Sequence, residues 1–527
     1  MDEALARAAQ LSEAARRAGS ADAHDHMTIA LARAHAGAMD EADALIATAL
    51  AQEPANPAIL VGLALIRRQQ GRLRDAVLAC DEAIRIAPRY PDAWRERGGI
   101  LAAGGSIAEA RRSFAEAALL APADSAAHAG LAALAAREGG AGEAEDHARR
   151  ALAADPDNVV AACSLAAAML ATGRAGNVPA MLEPRLAALR HASPDRVLAL
   201  SRLGDAWDRL GEHARAYDYY RRSKADFAAL HAAEATGRMT HRQFVEAIAS
   251  GLGELDPAAW QPTAGEQPDA AIAPHVFLIG YPRSGTTLAE NVLASLPGVA
   301  ALEERPTLAA ADRAYLAGDA AAVAEGLAGF AALDEGGLMD LRAAYWANVR
   351  QSGVPAASSG FVDMDPLKGT RLPLISRLFP QTRILIMRRD PRDIVWSCFR
   401  TNFAMTSGTL EYTSLEAAAQ HYDAMMRLTE LALERLALAT HIVPYHGLVQ
   451  DFDATTRAMC DFAGLEWNEA VRGFDRTARR RGVSTASAAQ VRRGLYDGTR
   501  QWQPYAEWLE PVMPVLEPWL EKFGYTA

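Results

Sequence analysis

Cysteine is scarce in this sequence. The 527 residues contain only four, Cys80, Cys163, Cys398 and Cys460, and none belongs to a CxxC pair. Zinc sites and dithiol redox sites usually bring cysteines together at short spacing, so the sequence predicts neither. Scattered thiols in a chain of this length are typical of reduced, intracellular proteins.

Long apolar runs are also missing. No stretch of about 18 apolar residues occurs, so we expect no transmembrane helix. The first residues, MDEALARAAQLSEAARRAG, are acidic at their start and amphipathic. They lack the basic and apolar regions of a signal peptide. We therefore expect a cytoplasmic protein that is not held at a membrane.

Positive charge is in deficit over the whole chain. Lys and Arg number 54 against 65 Asp and Glu, which gives a net charge of −11. Sequence-independent binding to nucleic acid needs many cations against phosphates, so we expect no nucleic-acid partner. Half of the residues are hydrophobic and 23% are charged, which favours a folded protein over a disordered one. The length predicts two to four domains.

A 34-residue period runs through the first half of the chain. Glycine suits a turn between paired helices, alanine lets two helices approach closely, and proline ends a helix. Residues of these three types repeat in step, at Gly37, Gly71, Gly105, Gly139 and Gly173, at Ala42, Ala76, Ala110 and Ala144, at Ala49, Ala83, Ala117 and Ala151, and at Pro54, Pro88, Pro122 and Pro156. The pattern predicts an α-solenoid of helix pairs.

The period and layout resemble the tetratricopeptide repeat (TPR). Five or six units are predicted over residues 24–225, since Gly211 continues the pattern after a short slip, and a capping helix is predicted before them. The unit with Pro179 and Pro184 is interpreted as degraded, because both prolines fall where a helix should run. The resemblance implies a groove that binds a protein or peptide partner. The alternative is an array that only supports the rest of the chain or holds a homodimer together.

The pattern changes after residue 225. An amphipathic helix is predicted over 240–253, followed by a proline-rich linker. Short apolar runs at 275–280, 382–388 and 439–445 are predicted to be buried parallel strands separated by helices. The sequence thus predicts three parts, which are a repeat array (1–225), a connecting helix and linker (226–274), and an α/β domain with a parallel central sheet (275–527).

The segment GYPRSGTT at 280–287 lies between a predicted strand and a predicted helix. This arrangement cradles phosphate with backbone N–H groups and the N-terminus of the helix. Gly280 and Gly285 have the spacing of a P-loop, but Thr286 stands where a nucleotide kinase has lysine. Arg283 supplies a cation from inside the loop instead. The sequence predicts an anion site here, with an ordinary strand-to-helix turn as the alternative.

PRSGTT after an apolar strand resembles the 5′-phosphosulfate loop of sulfotransferases that use 3′-phosphoadenosine-5′-phosphosulfate (PAPS). The segment ILIMRRDPRDIVWSCFRTNF (384–403) is similar to the 3′-phosphate segment of that family. Among sulfotransferases, the sequence most resembles the tyrosylprotein group and its bacterial TPR-fused relatives, and the order of TPR and then sulfotransferase favours the latter. The resemblance covers residues 275–525. It implies a P-loop-like sulfotransferase domain that transfers a sulfuryl group from PAPS to a hydroxyl without a metal.

The resemblance also implies which residues hold PAPS. The loop would bind the 5′-phosphosulfate, and Arg389 and Ser397 would bind the 3′-phosphate. The C-terminal segment, with VSTASAAQVRRGLY (483–496) and WQPY (502–505), would close over the nucleotide. Independently of the family, an arginine at a strand end can bind phosphate with two hydrogen bonds. Arg388 and Arg392 are instead candidates for structural pairs with Asp390 or Asp393. The implied ligands are Arg283, Ser284, Gly285, Thr286, Thr287, Arg389, Ser397, Tyr445, Ser484 and Ser487.

Sulfuryl transfer needs a base near the loop, and a carboxylate or a histidine suits this task. By the resemblance, Glu304 of the Glu303–Glu304 pair is the implied base, with two solvated acids as the alternative. Relatives carry a lysine where Met364 stands, and methionine cannot donate a hydrogen bond to the transferring group. Lys368 could reach in from four residues on, Arg283 could act alone, or activity could be weak. Lys368 as an ordinary surface side chain is a further alternative.

Two other functions stay open on the sequence. A kinase with a variant P-loop would need ATP and magnesium. A non-enzymatic TPR scaffold with a degenerate domain is favoured by Met364, and by His446 and Gly447 where the family has two acids after Tyr445. The basic run FDRTARRRGVS (474–484) could contact a phosphate or an acidic acceptor peptide, or simply be a solvated face.

Overall fold

The computed structural model describes residues 3–260, 272–481 and 487–525. The chain divides into two compact units, Met1–Ala188 and Leu189–Ala527. The described residues of the first unit form helices and turns, while the second unit combines helices with a five-stranded sheet. Among the described residues, no helix is both long enough and apolar enough to span a bilayer.

The first unit is a series of helix pairs that pack against their neighbours in sequence order. A short 3-10 turn, Ala175–Asn177, precedes its last helix. The helices are α1 Glu3–Arg17, α2 Ala23–His35, α3 Met39–Gln52, α4 Pro57–Gln69, α5 Leu73–Ile86, α6 Pro91–Ala103, α7 Ile107–Leu120, α8 Ser125–Glu138, α9 Ala141–Ala154, α10 Val159–Ala171 and α11 Val178–Ala188.

The 34-residue pattern accounts for these pairs. The five repeated glycines follow the first helix of each pair and have φ between 74° and 83°, a region that glycine adopts easily. All eight repeated alanines are completely buried, so the helices of a pair approach closely around them. Each repeated proline stands two residues after the end of the second helix, as Pro88 does after α5. The predicted solenoid is confirmed.

The unit that contains Pro179 and Pro184 does form a helix. Pro179 is the second residue of α11, where its missing N–H has no partner in any helix. Pro184 lies inside α11 and removes one helical hydrogen bond. The helix is shortened to 11 residues but not broken. The unit is therefore degraded in the length of its helix and by the internal proline, although a helix still runs through both proline positions.

The second unit begins with helices and continues with the sheet. The last predicted repeat pair, α12 and α13, belongs to this unit. Its helices are α12 Pro194–Arg209, α13 His213–Leu230, α14 Ala232–Ala235, α15 His241–Glu254, α16 Thr286–Leu293, α17 Ala309–Tyr315, α18 Ala320–Ala331, α19 Glu335–Gln351, α20 Leu372–Leu378, α21 Pro391–Arg400, α22 Ser407–Leu410, α23 Leu415–Arg435, α24 Tyr445–Gln450, α25 Phe452–Ala463, α26 Phe474–Arg481, α27 Ala488–Val491, α28 Ala506–Leu509 and α29 Met513–Phe523. Further 3-10 turns lie at Pro257–Trp260, Pro366–Arg371, Glu469–Gly473, Gln503–Tyr505 and Glu510–Val512.

Five parallel strands form the sheet in the order β2-β3-β1-β4-β5. They are β1 His275–Ile279, β2 Val299–Glu303, β3 Gly360–Met364, β4 Arg383–Arg388 and β5 Ala439–Pro444. The three predicted strands are β1, β4 and β5, confirmed to within a residue. The sequence missed β2, whose VAALE is short and rich in alanine, and β3, whose GFVDM contains the fully buried Asp363.

Two apolar layers cover the faces of the sheet. One layer packs α16 and α25 against side chains such as Leu278 and Met364. The other, larger layer contains side chains of α15, α19, α21 and α23 together with Phe277 and Ile386. The predicted connecting helix, α15, thus contributes Val245 and Ile248 to the core of the second unit.

Candidate functional site

Each strand of the sheet ends beside a residue that the sequence analysis singled out. Arg283 follows β1, Glu304 follows β2, Met364 ends β3, Arg389 follows β4, and Tyr445 follows β5. Because all five strands are parallel, their carboxyl ends lie at the same edge of the sheet. Ligands of open α/β sheets bind at this edge. The fold therefore gathers residues that are widely separated in the sequence.

The loop between β1 and α16 is closed by its own hydrogen bonds. The backbone N–H of Tyr281 donates to Ser284 Oγ at 3.3 Å, and the N–H of Ser284 donates to the Tyr281 carbonyl at 3.0 Å. Gly285 has φ 106°, and a Cβ there would lie 2.7 Å from Cδ2 of Tyr445. Thr286 and Thr287 begin α16 and are buried. This is the geometry that presents loop N–H groups and a helix N-terminus to an anion.

Arg283 connects the loop to two other segments. Its Nε donates to Ser397 Oγ on α21 at 3.0 Å, and its two terminal nitrogens donate to Ser487 Oγ at 2.5 Å and Gln490 Oε1 at 3.0 Å. Burial lowers the pKa of Arg283 to about 10, so the side chain keeps its charge at neutral pH. Gln490 was not found by sequence reasoning, because it belongs to no recognisable motif.

Arg389 is a buried cation, and one of its N–H donors has no partner among the described residues. It is 7% exposed, its guanidinium lies 4.8 Å from the centre of the Tyr445 ring, and it donates to the carbonyls of Arg283 and Gly498. Its Nε is buried and has no hydrogen-bond partner among the described residues. Buried donors are normally satisfied, and an arginine with an open N–H suits a phosphate oxygen.

The neighbouring arginines are committed to structural contacts. Arg392 pairs with Asp390 at 2.8 Å, so the predicted structural pair is confirmed for this residue. Arg388 pairs instead with Glu430 and stacks 4.0 Å from the centre of the Phe523 ring. The predicted pairing of Arg388 with Asp390 or Asp393 is therefore wrong.

The C-terminal segment is fastened over the strand ends. Tyr445 Oη donates to the carbonyl of Tyr496 at 2.9 Å and accepts the N–H of Gly498 at 3.2 Å. Asp393, on α21 and fully buried, accepts the backbone N–H of Arg500 at 2.8 Å and of Trp502 at 3.2 Å. Both side chains bind backbone groups of the C-terminal segment. The residue types of that segment therefore do not reveal these contacts. Ser484 lies outside the described residues.

A pocket remains between the loop, the start of α16, Tyr445 and the C-terminal segment. Arg283, Gly285, Arg389, Tyr445, Ser487 and Gln490 are among the residues that line it. Two guanidinium groups and the N-terminus of α16 make it attractive to an anion. The residues present fit a phosphate-bearing nucleotide, because Arg389 Nε is an open donor in the wall of this pocket.

Glu304 begins the chain segment after β2 in a left-handed conformation. Its φ is 49°, and its N–H donates to the carbonyl of Met364 at 2.8 Å. For a residue other than glycine this conformation costs about 1–3 kcal/mol, and such strain clusters at functional sites. Glu304 as a residue is exposed, while its carboxyl is partly removed from water by its surroundings. This desolvation, together with Asp365, Glu303 and Glu290 nearby, raises the pKa of the carboxyl to about 7. A carboxyl with this pKa can accept a proton near neutral pH.

Met364 occupies the position at which relatives carry a lysine, and Lys368 lies four residues further along the chain. Met364 is fully buried in the apolar layer that includes Leu288 and Met387, and it offers no cation. Lys368 is 3% exposed, and its Nζ lies 2.5 Å from Asp363 Oδ1. The interpretation of Lys368 as a surface side chain is therefore wrong.

The basic run is partly drawn into the fold. Its described residues form α26, and Arg481 at the end of this helix donates to Glu290 Oε1 at 2.7 Å and to Asn291 Oδ1 at 3.1 Å. Glu290 is completely buried on α16, and burial raises its pKa to about 7 despite the arginine. Arg479 pairs with Asp475 on the same helix at 3.0 Å. Sequence reasoning missed Glu290, which looks like any acid on a helix.

Comparison with known proteins gives one curated relative and several helical structures. The relative is described as an uncharacterized protein of Aquifex aeolicus (strain VF5) and is 26% identical over 255 residues, or 47% of this chain. The match spans 33% of the length of that relative. PilW, a widely conserved type IV pilus biogenesis factor, covers 43% of this chain and 95% of its own, with 21% identity and a TM-score of 0.32. A thermophilic TPR protein of Thermus thermophilus covers 34% of this chain and 98% of its own, with 21% identity and a TM-score of 0.31.

A protein-family comparison bears directly on the site. Residues 274–469 match the model of the Sulfotransferase family. This range begins just before β1 and includes all five strands, the 280–285 loop, Glu304 and Arg389. The part of the second compact unit that holds the sheet and the candidate site is therefore similar to the Sulfotransferase family.

Proposed function

We propose that the protein transfers a sulfuryl group from PAPS to an acceptor hydroxyl. The observation that carries this proposal is the pocket at the strand ends, where Arg389, buried and with an open Nε donor, stands beside the glycine loop. A general base candidate, Glu304, lies at the same edge of the sheet. The family match of residues 274–469 supports sulfuryl transfer as the chemistry.

In this proposal the nucleotide is held from three sides. The loop residues Ser284, Gly285, Thr286 and Thr287 bind the 5′-phosphosulfate through backbone N–H groups and hydroxyls. Arg389 and Ser397 bind the 3′-phosphate, and Tyr445 and Ser487 complete the pocket. The present contacts of Arg283 to Ser397 and Ser487 place its guanidinium between these groups.

The chemistry follows from the charges that change. The acceptor oxygen forms a bond to sulfur while the bond from sulfur to the phosphate oxygen breaks, and Glu304 takes the proton of the hydroxyl. Arg283 and the N–H groups of the loop stabilise the charge that develops on the sulfuryl and phosphate oxygens. We propose Arg283 for this task, because the ammonium of Lys368 is engaged with Asp363.

Two finer proposals concern the partners. The acceptor is a hydroxyl, and a protein tyrosine is the candidate that the family resemblance favours. We propose that the helix pairs of residues 1–188 bind a protein or peptide, as stacked repeats of this kind present an extended surface. Binding of the substrate protein itself would join these two proposals.

The test is a thermal-shift measurement with 3′-phosphoadenosine-5′-phosphate, with ATP and Mg²⁺, and with buffer alone. A ligand that binds only the folded state raises the stability by about 2.7 kcal/mol at 100 times its Kd. Wild type should be stabilised by the bisphosphate and not by ATP and Mg²⁺. Arg389→Ala should lose this shift. Arg388→Ala is the matched control and should keep it, because Arg388 pairs with Glu430 outside the pocket.

The other outcomes separate the rival functions. Stabilisation by ATP and Mg²⁺ alone would sink the sulfotransferase proposal in favour of a kinase. Absence of any shift would favour a scaffold without a working nucleotide site, in line with Met364 at the lysine position. Binding of the bisphosphate by Arg389→Ala as tight as by wild type would remove Arg389 from the site.

A further inference from the structure

Lys368 lies inside the fold, next to the chain that follows Glu304. Its Nζ donates to Asp363 Oδ1 at 2.5 Å, to Thr307 Oγ1 at 3.2 Å and to the carbonyl of Arg305 at 3.5 Å. An ammonium has three N–H donors, so these three acceptors use all of them. The side chain is 4% exposed. Lys368 is therefore bound to the Glu304 segment rather than directed at a ligand.

Asp363 completes this buried cluster. It is fully buried in β3, and its second oxygen, Oδ2, accepts Thr307 Oγ1 at 2.7 Å and Tyr345 Oη at 2.9 Å. A buried carboxylate is tolerated when its charge is paired and its oxygens are hydrogen-bonded. The hydroxyl of Thr307 thus contacts both members of the ion pair. The cluster ties β3 to the segment after Glu304.

The turn at Glu304 is held from both directions. On the β3 side, the carbonyl of Met364 accepts the N–H of Glu304 at 2.8 Å. Further along, Asn348 Nδ2 donates to the carbonyl of Thr307 at 3.1 Å, and Lys368 contacts Arg305 and Thr307. A left-handed residue other than glycine persists only where its surroundings hold it.

We propose that Lys368 is a positioning residue, which with Asp363 and Thr307 holds the segment 305–307 and so fixes the direction of the Glu304 carboxylate. This inference rests on the proposed role of Glu304 as the base. It gives Lys368 a role different from that of the lysine that Met364 replaces, since Lys368 acts through Glu304. The ammonium also favours ionisation of Glu304, because its charge lowers the pKa that burial and the neighbouring acids raise.

The first test changes Thr307 and leaves the ion pair in place. Thr307→Val removes the hydroxyl with little change of volume, and Thr307→Ser keeps it as the matched control. We expect backbone amides of segment 303–308 to exchange hydrogen at least 10-fold faster in Thr307→Val, with the rest of the sheet unchanged. Turnover should fall at least 10-fold, while the Kd of 3′-phosphoadenosine-5′-phosphate stays within twofold. Thr307→Ser should stay close to wild type in all three measurements.

A second variant removes the charges themselves. Lys368→Met alone leaves Asp363 buried without its counter-ion and could unfold the protein. Lys368→Met combined with Asp363→Asn avoids this problem, because it keeps an acceptor for Thr307 and Tyr345. We expect faster exchange in segment 303–308 and lower kcat at unchanged acceptor KM.

Three results test the positioning role of Lys368 and separate it from the proposed function. Exchange as slow as in wild type in both variants overturns the inference, since Lys368 would then not hold the turn. Lower turnover without faster exchange also overturns it, because the effect would not pass through the turn. A wild type that binds the bisphosphate but transfers no sulfuryl group contradicts the proposed function instead, and the exchange rates then still decide whether Lys368 holds the turn.

Discussion

Glu304 shows how a single carboxyl is prepared for proton transfer by its neighbours. Its chain leaves β2 in a left-handed turn, and the charges of Glu303, which ends β2, and of Asp365, which follows β3, act on its carboxyl. Partial removal from water and repulsion from these acids both favour the protonated form, so the pKa rises to about 7. The positive charge of Lys368 opposes this shift. The residue can thus exchange a proton near neutral pH.

The pH dependence of transfer tests this assignment. A general base works when it is ionised, so turnover should rise with pH and reach half of its maximum near pH 7. Glu304→Gln should abolish this rising limb of the pH profile of turnover. It should also lower turnover about 100-fold or more, with the Kd of the bisphosphate unchanged. Glu303→Gln is the control. It should keep the limb and move it to lower pH, because one repelling charge is removed.

Loss of the limb in Glu303→Gln, with the limb retained in Glu304→Gln, would exchange the roles of the two acids. A flat profile in wild type would remove both from proton transfer.

The loop between β1 and α16 is the element on which the nucleotide site depends. Its conformation needs a left-handed residue at Gly285, and Tyr445 from the end of β5 packs where a side chain would stand. Ser284 fills the inside of the loop and accepts the N–H of Tyr281. The loop is therefore shaped partly by its own sequence and partly by Tyr445, the residue after β5, which lies far along the chain.

Gly285→Ala should damage the loop without unfolding the unit. An added Cβ meets Cδ2 of Tyr445 at 2.7 Å and is also strained at φ 106°, so we expect at least 10-fold weaker binding of 3′-phosphoadenosine-5′-phosphate. Gly329→Ala in α18 is the control, because a Cβ there meets nothing within 4 Å. That variant should bind normally and gain about 0.5–1 kcal/mol of stability from the helix. Calorimetric titration of both variants gives the comparison, and equal affinities would contradict the packing argument.

At the scale of the whole molecule, acids with raised pKa values make stability depend on pH. Glu290 is completely buried on α16 and has a pKa raised from 4.5 to about 7, and Glu304 has a pKa raised to about the same value. Between pH 4.5 and 7 the folded protein therefore binds more protons than the unfolded chain. Stability contributed by these groups is present at low pH and is lost as the pH rises through this window.

Glu290→Gln should make this dependence weaker. Wild type should lose thermal stability between pH 5 and pH 7.5, and in the variant the fall of Tm should be smaller by at least about 2 °C. The reason is that glutamine does not ionise, although it also loses the charge pair with Arg481. Glu325→Gln, at an exposed position, should leave the slope unchanged. Differential scanning calorimetry across the pH range provides the measurement, and parallel slopes for wild type and Glu290→Gln would refute it.

Local sequence patterns were sufficient to predict the structure wherever the chain repeats itself or carries a motif. The glycines, alanines and prolines at a 34-residue period specify turns, close contacts and helix ends, and the structure confirms the solenoid. The apolar runs of β1, β4 and β5 are visible in the same way. The acidic Asp363 prevented β3 from being recognised in the sequence as a buried strand. Its carboxylate is compensated by Lys368, a partner that only the folded chain brings close.

The sequence by itself determined the repeat array, the α/β character of the second half and the glycine loop with Arg283. These follow from periodicity and from short motifs, which act over a few residues, whereas the candidates Glu304 and Arg389 come from the resemblance to sulfotransferases. The tertiary structure alone decided the order of the strands, the burial of Lys368 against Asp363, and the pairing of Arg388 with Glu430. It also raised the pKa values of Glu290 and Glu304. The physical reason is that desolvation and charge pairing depend on which distant segments come into contact, and a local sequence pattern does not predict these contacts.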